Sequence, residues 1–379
     1  MEDYSDIRPY LPEELPQIYE ELLADEKFRN MIAVVYKDLP FEAVAATLRS
    51  CKTNTEMQVK LVYPVLTQLL ATQSQGLTSD FSSIPNDGTC YTFVSNHRDI
   101  VLDSAFLDYA LLQNKMDTAE IAIGDNLLIY PWIKKLVRVA KAFIVQRALT
   151  MRQMLMASAK MSRYMHYVIN EKKQNIWIAQ REGRAKDSDD RTQESVLKMM
   201  AMGGEGDVIQ RLKDLNIVPL SISYEYDPCD FLKAKEFQLK RDVEGWKKSP
   251  ADDLQNMQTG IFGYKGHIHY QSAPCINAWL DTIDPATPKA DIFRMVAEKI
   301  DQGIHANYSL YPANYIAADL LQGSDQRCGH YSAEEKNAFE AYVDKKVAMV
   351  ELENADKDFL RERILTMYAN PTFNQEKTL

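Results

Sequence analysis

From residue 90 onward, short apolar or β-branched runs alternate with helical ones: 91–95, 119–123, 142–146, 176–180, 217–224 and 266–270. Nothing else in the 379 residues constrains the fold so tightly. Strands separated by helix-length segments must cross over and pair in parallel, with helices covering the sheet faces. The alternation therefore predicts an α/β fold, a largely parallel sheet flanked by helices, with functional side chains at the carboxyl ends of the strands. One run contains Pro219, which a sheet tolerates only at an edge, a bulge or a strand start.

The flanking regions have a different period. Over residues 13 to 72, Phe28, Ile32, Val35 and then Val59, Val62, Leu66, Leu69 recur at helical spacing, and Thr53-Asn54-Thr55-Glu56 has the capping-box pattern. This reads as an N-terminal helical bundle over 1–75, followed by a linker, 76–89, rich in Ser, Asp, Pro and Asn. The α/β domain spans 90–330, with an insertion at 227–265 long enough to serve as a lid or partner site. A charged C-terminal helical segment occupies 331–379, whose last ten residues are expected to fray.

A net charge of -10 and a pI near 5.3 argue against a nucleic-acid binder. Five cysteines, at 51, 90, 229, 275 and 328, form no close pairs, so neither a zinc knuckle nor a redox dithiol is indicated. Reduced thiols point to a cytoplasmic setting. The start, Met1-Glu2-Asp3-Tyr4, has no signal-peptide pattern, and no apolar run approaches the roughly 18 residues of a membrane span. Work on a lipid would then proceed from the surface, with the chain peripheral on the inner face of the membrane.

The first run ends in Ser95-Asn96-His97-Arg98-Asp99-Ile100-Val101-Leu102-Asp103, where a strand gives way to a helix. Two readings are open. The stretch is a loop anchored by an aspartate N-cap and an arginine ion pair, or His97 is a general base whose tautomer a carboxylate holds. A protein-kinase reading of His97-Arg98-Asp99 fails, because Ser104 stands where that signature needs asparagine and no Asp-Phe-Gly follows.

The later runs lead into Gly124-Asp125-Asn126, Gln146-Arg147, Arg181-Glu182-Gly183-Arg184 and, within the fifth, Val218-Pro219. In order and rough spacing, His97…Asp103, Gly124…Phe143-x-x-x-Arg147, Glu182-Gly183-Arg184 and Val218-Pro219 resemble the four blocks of the glycerolipid acyltransferase family, which includes glycerol-3-phosphate and 1-acylglycerol-3-phosphate acyltransferases. The resemblance spans roughly residues 90 to 275. It departs in the first block, where five residues separate His97 from Asp103 instead of four. Successive helix positions point about 100° apart, so the extra residue must be absorbed by a turn or bulge. Asp103 is preferred as the orienting carboxylate, and Asp99 is the rival at a position suited to an N-cap. The third block lacks the aromatic and proline before Glu182 and any residue between Gly183 and Arg184.

The resemblance implies transfer of an acyl group from a thioester, of acyl carrier protein or CoA, to a hydroxyl of a phosphorylated glycerol in phospholipid synthesis, with no cofactor. It makes His97 and Asp103 catalytic and places Arg98, Gly124, Arg147, Glu182, Gly183, Arg184 and Pro219 in the substrate-binding set. Bottom-up, the chemistry needs a base for the hydroxyl and cations for the phosphate. Arg147 and Arg184 suit the second task, since guanidinium forks match phosphate oxygens bidentately. Gly124 lets backbone approach substrate closely. His267 and His269 share one strand face, but no third ligand has metal-site spacing. Two alternatives stay open: a catalytically inactive lipid- or carrier-binding protein on the same fold, and an O-acyltransferase for another hydroxylated lipid.

One feature is independent of the resemblance. Between Asn126 and Asn170 there is no Asp or Glu, while Lys134, Lys135, Arg138, Lys141, Arg147, Arg152, Lys160 and Arg163 are present. Such a segment should face something anionic, a membrane surface or an acidic carrier, or else be a helix with one solvated basic face.

Overall fold

The computed structural model describes residues 2–128, 130–146 and 150–379. Its centre is a seven-stranded sheet of β1 (Leu77–Asp80), β2 (Thr92–Ser95), β3 (Ala119–Gly124), β4 (Ala142–Val145), β5 (Asn175–Ala179), β6 (Ile217–Tyr224) and β7 (Ile268–Ser272). The order is β1-β7-β6-β2-β5-β3-β4, and every pairing is parallel except β6 with β7. Both faces are covered, which is why the strands read as continuous apolar runs. Side chains alternate between the two layers. Val94, Ile176, Ile178 and Ile217 enter one core with Phe143, Tyr164 and Val296, whereas Phe93, Trp177 and Val218 enter the other with Phe106, Leu107 and Tyr270.

Residues 76–89, read as a linker, contribute β1 to the sheet edge, where Leu77 pairs with Ile268 and Asp80 with Gln271. A polar four-residue strand leaves little local signal, and its ladder depends on a partner almost two hundred residues away. Pro219 is not at an edge. Its register partner in β2 is Val94, and its carbonyl accepts from Ala273 N–H at 2.8 Å, just beyond the end of β7. The missing proline donor therefore falls where the β7 ladder has already stopped.

The N-terminal helices Leu15–Ala24, Glu26–Val35 and Phe41–Ser50 bury Leu22, Phe28, Ile32, Val44 and Leu48, and the same cluster takes in Val139 from helix Pro131–Val139. This bundle thus shares its core with the α/β layer. At the other end, helix Lys357–Thr378 packs with helices Pro312–Gln322 and Ala333–Ala348 around Ile316, Phe339, Val343, Leu360 and Ile364. The expected fraying of residues 370–379 is not found. Pro371, Thr372 and Asn374 are buried, and Asn370 Nδ2 donates to Asp187 O at 2.8 Å.

The basic segment meets acidic groups of its own chain. Lys135 pairs with Glu21, Lys160 with Asp6 and Arg163 with Glu2, each at 2.7 Å. Arg138 is buried over the Tyr10 ring and donates to the carbonyls of Arg8 at 2.8 Å and Ser5 at 2.6 Å. Lys141 donates to Thr118 and Gln174. Part of the basic face is thus engaged by the N-terminal segment of the same chain. No described helix is long and apolar enough to cross a membrane.

Candidate active site

β2 delivers the His97 loop to the carboxyl edge of the sheet, and Asn96 pins it. Its side chain donates to Ile222 O at 2.9 Å and accepts from Ile222 N at 2.8 Å. His97 Nδ1 lies 2.8 Å from Asp103 Oδ2. The same oxygen accepts from the N–H groups of Arg98 at 2.6 Å and Asp99 at 3.0 Å. A carboxylate that accepts this way holds the proton on Nδ1 and leaves Nε2 as the basic nitrogen.

The extra residue is absorbed before the helix. Helix Leu102–Gln113 begins only after Ile100 and Val101, and Asp99 Oδ1 accepts from the N–H groups of Val101 and Leu102, both at 2.8 Å. Asp99 thus satisfies the helix start while Asp103 faces the imidazole. Burial, and next the charge of Asp103, push the Asp99 carboxyl above its ordinary range.

His97 lines a cleft of about 470 Å³ together with Gly124, Glu182, Gly183 and Arg184, so the structure brings five of the nine sequence candidates around one space, with Asp103 directly behind. Arg184 Nη2 donates to Asn256 Oδ1 at 3.0 Å, while Nη1 is buried with no hydrogen-bond partner. A buried guanidinium nitrogen without a partner is uncommon, and an anion oxygen is its natural complement. Arg147 lies outside the described residues.

Two candidates lie elsewhere. Arg98 turns away from the cleft to pair with the fully buried Asp190 at 2.7 Å, and Tyr308 Oη donates to the same carboxylate at 2.5 Å. The structure therefore does not bring Arg98 to the cleft with the other candidates, and its guanidinium is held by a buried carboxylate instead. Pro219 packs under helix Lys289–Ala306, where a Cβ on Gly303 would come within 2.8 Å of it. It also has no place in the cleft.

Sequence reasoning gave Arg181 no role beyond its place at a strand end and missed Lys186, Lys240 and Lys248; all four line the same space. Burial pushes Lys186 down to about 8, against the opposing hydrogen bond and charge of Glu236. Lys240 and Lys248 come from the 227–265 insertion, whose length was the only signal for them. No group of three or more His, Cys, Asp or Glu among the described residues is arranged to hold a metal ion.

A second, almost wholly apolar pocket of about 300 Å³ adjoins the cleft and shares Ile100, Ser104, Ile123 and Leu127 with it. It runs along helix Leu102–Gln113 past Val101, Ala105 and Tyr109, and is closed by Leu66, Leu136 and Met257. His97 thus lines a polar, cation-rich space that borders a greasy one across Ile100, Ser104, Ile123 and Leu127.

Residues 83–223 match the model of the family described as Acyltransferase. The match contains the first three blocks and Val218-Pro219, and it supports the likeness to the glycerolipid acyltransferases. Among solved structures, the chain is similar to the 1-acyl-sn-glycerophosphate acyltransferase PlsC of Thermotoga maritima. That likeness has a TM-score of 0.36 and 11% identity, over 76% of this chain and 95% of that one. No curated protein matches the chain.

Proposed function

We propose that this acyltransferase moves a fatty acyl group from a thioester to a hydroxyl of glycerol 3-phosphate or 1-acylglycerol 3-phosphate. The observation that carries the reading is that the cleft lined by His97, with Asp103 behind it, borders the apolar pocket across Ile100, Ser104, Ile123 and Leu127. The apolar pocket suits an acyl chain, since each buried CH₂ contributes about 0.8 kcal/mol. The cleft suits the phosphate, with Arg184 Nη1 as its first donor.

In the reaction, His97 Nε2 takes the proton of the acceptor hydroxyl as its oxygen attacks the thioester carbonyl carbon. The C–O bond forms and the carbonyl π pair moves onto oxygen, giving a tetrahedral intermediate. When that pair returns, the C–S bond breaks and the sulfur leaves with the proton from the His97 imidazolium. Asp103 stabilises the imidazolium in between. An extra residue after His97 would permit an inactive binding protein on the same fold, but the formed His97–Asp103 pair supports the enzyme.

The test is release of free thiol from a long-chain acyl thioester, with CoA and acyl carrier protein as alternative carriers, on addition of glycerol 3-phosphate or its monoacyl derivative. His97→Ala is expected to lower turnover by about two to four orders of magnitude while the protein stays folded. A folded variant of ordinary activity removes His97 from the mechanism. Arg184→Ala should raise KM for the phosphorylated acceptor more than for the thioester.

A further inference from the structure

We infer that Asn256, supplied by the insertion, is a positioning residue that holds Arg184 ready for the acceptor's phosphate. The inference rests on the phosphate reading of Arg184 above.

Helix Pro250–Phe262 lies across the junction of the two pockets. Asp253 lines the cleft, Met257 lines the apolar pocket, and Gly260 rests on Asp99 so closely that a Cβ would come within 2.0 Å of Oδ2. The helix start is set by a reciprocal cap, in which Ser249 Oγ accepts from Asp252 N–H at 3.2 Å and the Asp252 carboxylate accepts from Ser249 N–H at 2.8 Å. Asn256 is buried one turn further on. Its Nδ2 donates to Asp252 O at 2.8 Å, which turns Oδ1 toward the guanidinium, where it accepts from Arg184 Nη2 at 3.0 Å. Its own carbonyl accepts from Cys229 Sγ at 3.3 Å, tying this turn to the other helix of the insertion, Asp230–Asp242, through its N-cap residue.

The choice of an amide matters. The charge of Arg184 already acts on the buried carboxyls of Asp99 and Asp227. A neutral oxygen orients the guanidinium without adding a third, whereas a carboxylate at the same place would form an ion pair and compete with phosphate for it. Asn256 thus fixes one edge of Arg184 and leaves Nη1 unpaired. The insertion is thereby part of acceptor recognition although it lies outside the matched segment, residues 83–223.

The experiment is steady-state kinetics with glycerol 3-phosphate and a long-chain acyl thioester on the full chain. Asn256→Ala should raise KM for the acceptor about tenfold, the value of one hydrogen bond to a charged group, with kcat and the thioester KM within about twofold. Asn256→Asp keeps the size and the contact, so a merely structural role predicts near-parental kinetics. The positioning role predicts an acceptor KM raised at least as far, and weaker competitive inhibition by inorganic phosphate in parallel. If Asn256→Ala fails to fold, the Asp variant decides alone. If Arg184→Ala raises the acceptor KM and the Asn256 variants do not, this inference is overturned and the phosphate reading stands. Equal changes in both KM values also overturn it. An acceptor KM untouched by Arg184→Ala removes the phosphate reading, and this inference with it.

Discussion

Replacing Asp103 by Asn changes one oxygen to an NH₂ group, and the structure says which one. Oδ2 accepts from three donors, His97 Nδ1, Arg98 N and Asp99 N, while Oδ1 is buried without a partner. The amide oxygen must therefore take the place of Oδ2, which leaves the NH₂ at the unpartnered position. That costs about 1–3 kcal/mol of stability for a buried donor left unmade. The catalytic loss is larger, because the charge that stabilises the imidazolium is gone. Turnover should fall by about two to four orders of magnitude, or about 3–5 kcal/mol of transition-state stabilisation at 1.36 kcal/mol per decade. Asp99→Asn is the comparator. It disturbs two N–H groups at a helix start, worth about 1 kcal/mol of stability, and should lower turnover less than about tenfold. Single-turnover thiol release, with melting temperature measured in parallel, separates the two effects. A crippled Asp99 variant beside an active Asp103 variant would refute the assignment.

Three further outcomes follow from the packing. Ala105→Phe, in the wall of the apolar pocket, should lower kcat/KM for long-chain thioesters more than for short ones, by about 0.8 kcal/mol per excluded CH₂; an unchanged chain-length profile would place the acyl chain elsewhere. Burial pushes Asp108 up to about 7 against hydrogen bonds from Ala119 N–H and Gln58. Its folded value thus exceeds the unfolded 3.8, so its stabilising effect is complete below pH 4 and is lost as pH rises through 7, by up to about 4 kcal/mol. As pH rises from 4 to 7 the urea midpoint of the parent should fall relative to that of Asp108→Asn, and parallel curves would contradict the sign. Arg138→Gln should lower stability by about 1–2 kcal/mol, since the guanidinium serves two partly buried carbonyls, and vesicle binding should change only as far as that loss of fold requires. A fully stable variant with impaired vesicle binding would assign Arg138 to a membrane-facing surface.

The reading of the first block shows where local information ends. The spacing from His97 made the choice between Asp99 and Asp103 visible, yet could not decide it, because the decision lies in how two unwound residues precede the helix. Arg98 and Pro219 sit inside the quoted blocks, but their side chains are committed to Asp190 and Gly303, partners on segments that no spacing connects to them. The basic run was legible as a run. That Glu2, Asp6 and Glu21 would neutralise much of it depends on the N-terminus folding back over it.

By itself the sequence determined the alternation that forces a largely parallel, two-sided sheet, and the chemical types at the strand ends. Both are written locally, in the period of the apolar residues and in the side chains that follow them. Tertiary structure decided everything that depends on long-range closure. It drew residues 77–80 into the sheet edge, buried the C-terminal helix, and set two pockets side by side at His97. It also laid helix Pro250–Phe262 over Arg184. Those contacts join segments tens to hundreds of residues apart, and only the shared burial of their apolar faces brings them together.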